Sequence, residues 1–287
     1  MAASEGALFV EERKMKILEF IEEHRKATVV ELCGQFRVSS ATIRNDLRDL
    51  ETAGLLIRTH GGAMVKTKTG LEPDMSLRKV QNLEEKRRIA EAALRLVEDG
   101  DTIILDTGTT TYELARLLGQ KRDITVVTND LPIALLLEDI DAVRVVVVGG
   151  MIRRKFHCTV ASHFSGMNAL SDLTVDKAFM ACNGFSLEKG ASTPDMAHSE
   201  TKRLMISIAA RVILLFDSSK MGRNSFAIFA PLDKIDAIVT DSLREEERRF
   251  LEDNGVEAMT AGPGGVLQDG RAGPVDSGRA GSGPEGA

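Results

Sequence analysis

Apolar residues recur at helical spacing early in the chain and in short strand-like runs afterwards, and this change of period divides it. From Glu11 to His24, Met15, Ile17, Leu18 and Ile21 fall on one face of a helix. Thr28 is placed to cap a second helix whose inward positions are Val29, Leu32, Cys33 and Phe36. A tight turn at Arg37-Val38 leads to Ser39, the expected cap of a third helix. That helix faces inward at Ile43, Leu47 and Leu50 and ends at Gly54. Leu55 to Gly62 predicts a small hairpin with Arg58 and His60 exposed. Two helices joined by a short turn and followed by a hairpin give a winged helix-turn-helix over residues 1–65.

Residues 66–82 are polar, with Gly70 and Pro73, and are expected to be a linker. Asn82 and Glu85 have the spacing of a capping box opening a helix through Val97. Beyond Gly100, β-branched runs alternate with helical stretches. Strands are expected at 102–105, 124–127, 143–148, 175–180, 212–216 and 237–240. Helices are expected at 112–118, 131–138, 200–210 and 243–254. Such alternation predicts an α/β fold with a parallel, doubly wound sheet over residues 83–261. Residues 262–287, rich in Gly and Pro, are expected to be a disordered tail.

Composition narrows the function. The chain has 287 residues, 43% of them apolar, and a formal net charge of −6, so positive charge for a nucleic acid must be local. With no Trp and one Tyr, a base-stacking platform is not expected. No apolar run is long enough to span a membrane, and the start lacks a cationic, then apolar, leader; the expected compartment is the cytosol. The cysteines, Cys33, Cys158 and Cys182, form no CxxC pair and are expected to be reduced thiols. His157-Cys158 with His163 lacks ordinary zinc spacing, so no metal is expected.

The outward face of the third helix carries Ser39 at its cap and then Ser40, Thr42, Arg44, Asn45 and Arg48. These donors suit phosphates and purine edges in a major groove, with Arg58 and His60 on the wing. A solvated bundle would show a similar face. Asp46, Asp49 and Glu51 weaken the local field, and are expected to pair with the arginines and orient them.

In the second half, Asp106-Thr107-Gly108-Thr109-Thr110-Thr111 follows a strand and precedes a helix, where backbone N–H groups favour a phosphate. Thr128-Asn129, Gly149-Gly150, Asp176 and Asp217-Ser-Ser-Lys220 sit at comparable junctions and could line one pocket. Taken singly, each is better explained as turn chemistry or, for Lys220, as a solvated lysine.

The run Val38-Ser-Ser-Ala-Thr-Ile-Arg-Asn-Asp-Leu-Arg-Asp-Leu50, then Gly54-Leu-Leu-Ile-Arg-Thr-His-Gly-Gly-Ala63, with Arg13, Ile17 and Ile21 upstream, closely resembles the DeoR family of bacterial sugar-operon regulators. The resemblance extends from about Glu84 to about Thr260. It implies that Thr42, Arg44, Asn45 and Arg48 lie on a recognition helix. It also implies a sensor similar in fold to ribose-5-phosphate isomerase that binds a phosphorylated sugar. In that comparison the isomerase's phosphate loop resembles Thr107 to Thr111, its acidic motif Val175-Asp-Lys-Ala-Phe179, and its helix start Glu200-Thr-Lys202. A further motif resembles Asp217-Ser-Ser-Lys220. Phe179 replaces the motif's second aspartate, and a phenyl ring transfers no proton, so the resemblance implies a binding pocket rather than an enzyme. Glu200 then lacks a supporting carboxylate, while Lys189 and Lys202 are candidate anion contacts. The expected partners are double-stranded operator DNA, a phosphorylated sugar and further copies of the chain, as a dimer or tetramer, with no cofactor. The alternative is a sugar-phosphate isomerase-like enzyme with an accessory DNA-binding domain.

Overall fold

A computed structural model describes residues 10–65, 72, 75–160, 170–262 and 267–269. The N-terminal unit opens with α1 (Val10–His24), β1 (Lys26–Thr28), α2 (Val29–Phe36) and α3 (Ser40–Thr52), and closes with the wing strands β2 (Leu56–Thr59) and β3 (Gly62–Val65). Both expected caps form. The Thr28 hydroxyl accepts from Glu31 N at 3.2 Å while Glu31 Oε2 accepts from Thr28 N at 2.7 Å, and Ser39 Oγ accepts from Thr42 N at 3.2 Å. Between α2 and α3, Arg37 adopts the left-handed conformation (φ 51°) that turns the chain. Strand β1 was not foreseen; it pairs with β3 and extends the wing to three antiparallel strands. Ile17, Ile21, Leu32, Ile43 and Leu47 are fully buried and form the core of this unit.

One charged pair sits in that core. Arg13 Nε lies 2.6 Å from Asp46 Oδ2 and its Nη2 donates to Asp46 Oδ1 at 3.1 Å. Asp49 pairs with Lys14 at 2.8 Å. The expectation that Asp46 and Asp49 orient Arg44 and Arg48 is therefore corrected: both turn backward onto α1, because the helix period places them on the α1 side of α3.

The segment expected to be a linker contains a helix, α4 (Met75–Val80), packed against α1; residues 66–71 and 73–74 lie outside the described residues. Next comes α5 (Leu83–Leu94), which ends before the expected Val97. The Asn82–Glu85 capping box does not form. Asn82 takes a left-handed conformation (φ 49°), and its amide is drawn instead to Asp217 at 2.8 Å.

The second unit continues with β4 (Thr102–Leu105), α6 (Thr109–Ala115), β5 (Ile124–Thr128), α7 (Leu131–Glu138), β6 (Val143–Val147), β7 (Met151–Arg153) and β8 (Cys158–Val160). Then follow β9 (Val175–Ala181), β10 (Gly184–Ser186), β11 (Gly190–Thr193), α8 (Met196–Ser207), β12 (Ala209–Leu215) and β13 (Ala227–Ala230). The last described elements are β14 (Ala237–Thr240), α9 (Glu245–Asp253), β15 (Glu257–Ala261) and β16 (Leu267–Asp269). The central sheet runs β16-β15-β14-β12-β9-β4-β5-β6, parallel except for β16. Helices α5, α6 and α7 cover the face bearing Ile103, Leu105, Val126 and Ile213; α8 and α9 cover the face bearing Ile104, Met180 and Leu214. Burial on both faces explains continuous apolar strands such as Thr102-Ile-Ile-Leu105.

Several strands escaped the sequence reading: the β7–β8 hairpin, the small antiparallel sheet β10-β11-β13, β15 and β16. Strand β16 lies within the stretch expected to be a disordered tail; residues 263–266 and 270–287 of that stretch lie outside the described residues.

From β4 the sheet grows one way through β5 and β6; from β9 it grows the other way through β12, β14 and β15. The order therefore reverses between β4 and β9, and a crevice opens there at the carboxyl ends of the strands.

Removing the Asp46 carboxylate strands a charge against the core, so Asp46→Ala is expected to cost about 3 kcal/mol. Asp49→Ala removes a pair whose carboxylate is 57% exposed, a contribution under about 1 kcal/mol. Urea unfolding of both variants measures the difference; equal costs would contradict a structural role for the Arg13–Asp46 pair.

Candidate functional site

Two surfaces carry candidate chemistry. The first is the outer face of α3. Ser39, Ser40, Arg44, Asn45 and Arg48 are exposed, and Thr42 is half-buried with its hydroxyl 2.9 Å from Ser39 Oγ. Arg48 donates to Asn45 Oδ1 at 3.2 Å, which aligns the two side chains on the same ridge. With Asp46 turned inward onto Arg13 and Asp49 bound by Lys14, the ridge presents its arginines without an acidic partner from α1 or α3 among the described ion pairs. On the wing, His60 is exposed and Arg58 half-buried with its Nε unpaired.

The second surface is the crevice between β4 and β9. Asp106, fully buried, follows β4 directly. Its Oδ2 accepts from Ala181 N, at the end of β9, at 2.9 Å, and also from Lys202 Nζ of α8, which donates to Ala181 O at 2.9 Å as well. Gly108 lets the loop after β4 lie against β9: a Cβ there would stand 2.6 Å from Ala181 Cβ. Thr111 Oγ1 donates to the carbonyls of Asp106 and Gly108, and Thr107 Oγ1 donates to Asp130 Oδ2 at 2.6 Å. The Thr111 hydroxyl is thus committed to the loop, and that of Thr107 to the cap of α7. Thr109 and Thr110 instead line a cleft with Arg78, Gln81, Lys86, Asp217 and Lys220.

The cleft is strongly cationic. Lys86 is 4% exposed, and its ammonium donates to the carbonyls of Arg78 and Gln81, closing the corner between α4 and α5. Burial lowers its pKa to about 7, against the opposing pull of Asp217 and with help from Lys220 and Arg78. Burial alone would raise the Asp217 carboxyl, but Lys220, the Ser219 hydroxyl, Lys86 and Asn82 bring it below its ordinary value.

The remaining expected site residues separate. Thr128 and Asn129 are buried at the end of β5, where Asn129 Nδ2 donates to Thr159 O at 2.8 Å and fastens the β7–β8 hairpin. Gly149 is exposed. Gly150 allows a close crossing, since a Cβ on it would lie 2.4 Å from Val160 O. Gly150 therefore serves the hairpin, and neither glycine lines the cleft. Asp176 is corrected: it lies at the amino end of β9, on the opposite rim, accepting from Thr102 N at 2.8 Å. In a parallel strand the opening residue lies a full strand length from the carboxyl-end crevice. Glu200 is also corrected, since it is exposed on the outer face of α8, and Lys189 is exposed in the β10–β11 turn. Phe179 is packed in the sheet core beneath the layer of α5, α6 and α7 and does not line the cleft.

Sequence reading missed several residues here. Arg153, at the end of β7, ion-pairs with Glu72 and stands 3.4 Å from Asp195. His198 is 3% exposed, its Nδ1 lies 3.4 Å from Thr193 Oγ1, and its Nε2 is 3.9 Å from Asp106 Oδ1. Burial, then Lys202, Arg153 and Arg78, push its pKa well below the ordinary histidine value, so its ring is neutral at pH 7. The only advance signal was the cluster Pro194-Asp195 before a helix, a cap pattern; nothing in sequence links it to Arg153 or Arg78. Burial raises the Cys158 thiol to about 11 and the Cys182 thiol to about 12, so both are protonated and unreactive at neutral pH. No group of three or more metal-ligating side chains occurs among the described residues, and His163 lies outside them. No described helix is long and apolar enough to cross a membrane.

Comparison with known proteins agrees with this division. Residues 13–69 match the DeoR-like helix-turn-helix domain, and residues 81–242 match the DeoR C terminal sensor domain. The HTH-type transcriptional regulator GlpR of Haloferax volcanii is 37% identical over 249 residues, covering 86% of this chain and 96% of that protein. The HTH-type transcriptional repressor GlcR of Bacillus subtilis is 36% identical, covering 88% and 96%. The putative aga operon transcriptional repressor of Escherichia coli O157:H7 is 32% identical, covering 88% and 94%. Among solved structures, ribose 5-phosphate isomerase A of Methanocaldococcus jannaschii superposes with a TM-score of 0.37 at 19% identity, covering 49% of this chain and 55% of that one, too partial a match to argue from. The two domain matches and the near full-length relatives agree: this chain belongs to the DeoR family of transcriptional regulators.

Proposed function

We propose that the protein represses a carbohydrate-metabolism operon by binding its operator through α3 and the wing, and that a phosphorylated sugar bound at the β4–β9 crevice relieves repression. The observation that carries the reading is the cleft itself. Thr109, Thr110, Arg78, Lys86 and Lys220 converge where the strand order reverses, a donor set suited to a phosphate. The isomerase-like alternative finds no support in the geometry: Glu200 faces solvent, and Phe179 is in the core. Homo-oligomerisation belongs to the same proposal. One small reader offers little contact area, and the β6 edge with β7 leaves Val146, Val147, Met151 and Ile152 exposed.

The reading is tested by operator binding of the full chain at fixed salt, with and without a panel of sugar phosphates. Release by one phosphorylated sugar is expected; sequence-specific binding that no panel member alters would sink the effector half of the proposal. Lys220→Ala is expected to weaken the effector response while leaving operator affinity nearly unchanged. Arg44→Ala should cost operator binding about 1–3 kcal/mol, with a smaller loss on random DNA; equal losses on both would mean that Arg44 touches only phosphates.

Lys86 makes anion binding pH-dependent. Below about pH 7 its ammonium is charged and assists an anion; above that it is neutral and must take up a proton to do so. Sulfate affinity is therefore expected to fall between pH 7 and 8.5 and to stay flat in Lys86→Arg, as titration calorimetry would show. For folding the sign is opposite. Between about 7 and the ordinary lysine value of 10.5, only the unfolded chain holds this proton, so stability rises with pH across that window.

A further inference from the structure

The segment between the wing and the sensor places a carboxylate beside this cleft. Glu72 precedes α4, yet its side chain is only 4% exposed. Its Oε1 accepts from Arg78 Nη1 at 2.8 Å and from Asn183 Nδ2 at 2.9 Å, and Arg153 Nη2 lies 2.8 Å from its Oε2. These donors come from α4, from the residue pair following β9, and from the hairpin strand β7. Two guanidiniums and a carboxamide converging on one carboxylate form a site for an oxyanion.

Two further observations say that this arrangement is not a finished salt bridge. Arg153 Nη1 and Glu72 Oε2 are buried without a hydrogen-bond partner, and nearby His198 Nε2 and Asp106 Oδ1 are unpaired as well. The ion contact between Arg153 and Glu72 lacks hydrogen-bond alignment, so the carboxylate fills the charge but not the geometry of its surroundings. Arg78 also borders the cleft of Thr109, Thr110 and Lys220, so a single guanidinium serves both Glu72 and the candidate anion site.

We propose that Glu72 is a resident competitor for the effector: its carboxylate holds Arg78 and Arg153, and the oxyanion of a phosphate monoester entering the cleft draws these guanidiniums away from it. This inference rests on the effector reading above and adds its regulation. A phosphate offers more acceptor oxygens than a carboxylate and can satisfy the donors that Glu72 leaves unpaired. Once Glu72 loses Arg153, only Asn183 still ties it to the sensor, and the anchor that holds the start of α4 there is weakened. The anchor continues toward the reader, because α4 packs on α1 and Gln81 Nε2 donates to Glu19 Oε1 at 3.1 Å. Occupancy of the cleft is thereby converted into a change in how the reader is held. Only the state with Glu72 displaced binds the anion fully, so the hold of Glu72 sets the concentration at which the switch acts. A neutral sugar has no means to displace it.

The test is the affinity of the full chain for inorganic phosphate at one fixed pH, by titration calorimetry, together with the phosphate concentration that releases operator DNA. Glu72→Gln keeps the shape and removes the charge. It is expected to bind phosphate about tenfold more tightly and to release operator at correspondingly lower phosphate. Glu72→Asp keeps the charge but shortens the reach, and is expected to shift both quantities the same way by a smaller factor; it serves if the glutamine variant does not fold. Unchanged or weaker phosphate binding in the folded variants overturns the competitor role. Failure of the underlying effector reading shows separately: there, Lys220→Ala would leave phosphate affinity untouched, whatever the Glu72 variants do.

Discussion

The carboxylate of Asp106 stands fully buried at the place where the parallel sheet reverses its order, and the sensor is organised around neutralising it. Its one oxygen takes the amide of Ala181 and the ammonium of Lys202, which joins β4, β9 and α8; its backbone carbonyl takes the Thr111 hydroxyl, which joins α6. A buried ion pair of this kind contributes little net stability compared with a hydrophobic replacement, but it permits a single arrangement of the groups around it. With that arrangement fixed, Thr109 and Thr110 face the cleft, Gly108 lies against β9, and His198 stays neutral beside two arginines and Lys202.

The parts of the fold legible in sequence are those whose cause is local. Thr28 and Ser39 cap helices because their hydroxyls reach amides three residues on, and Ile43, Leu47 and Leu50 are buried because the helix period says so. The loops at 106–111 and 217–220 were legible because they follow strands, and the parallel topology brings both to the same rim. What failed depended on distant partners. Asn82 has the spacing of a cap, but Asp217, far along the chain, takes its amide. Asp176 has suitable chemistry but opens its strand instead of closing it. The strands Gly184–Ser186 and Gly190–Thr193 are buried throughout and, Phe185 apart, built of small residues, so they show no alternation. Arg78, Arg153, Glu72 and His198 come together only once α4 with the residue ahead of it, β7 and α8 are all folded, and no spacing rule joins them.

The reader is held to the connecting segment by the packing of α1 on α4 and by the hydrogen bond from Gln81 to Glu19. The corner between α4 and α5 is locked by Lys86, whose amine satisfies carbonyls that the end of α4 leaves open; a neutral amine has hydrogens enough for both. The same amine borders the cleft, so the hinge between the two units and the anion site share a side chain. Coupling here needs no long relay: the groups that would feel a ligand are the groups that position the connecting helix.

Along α3, the scaffold and the proposed reading surface are two separate stripes. Ile43, Asp46, Leu47 and Leu50 face the core, and Ser40, Arg44, Asn45 and Arg48 face outward without touching it. Substitutions on the outer stripe leave every buried contact of the helix in place, while buried Asp46 and exposed Asp49 are already held by Arg13 and Lys14. Descendants of such a protein can exchange one target sequence for another at little risk to folding. A duplicated copy is thus free to acquire a new regulon while inheriting an intact sensor.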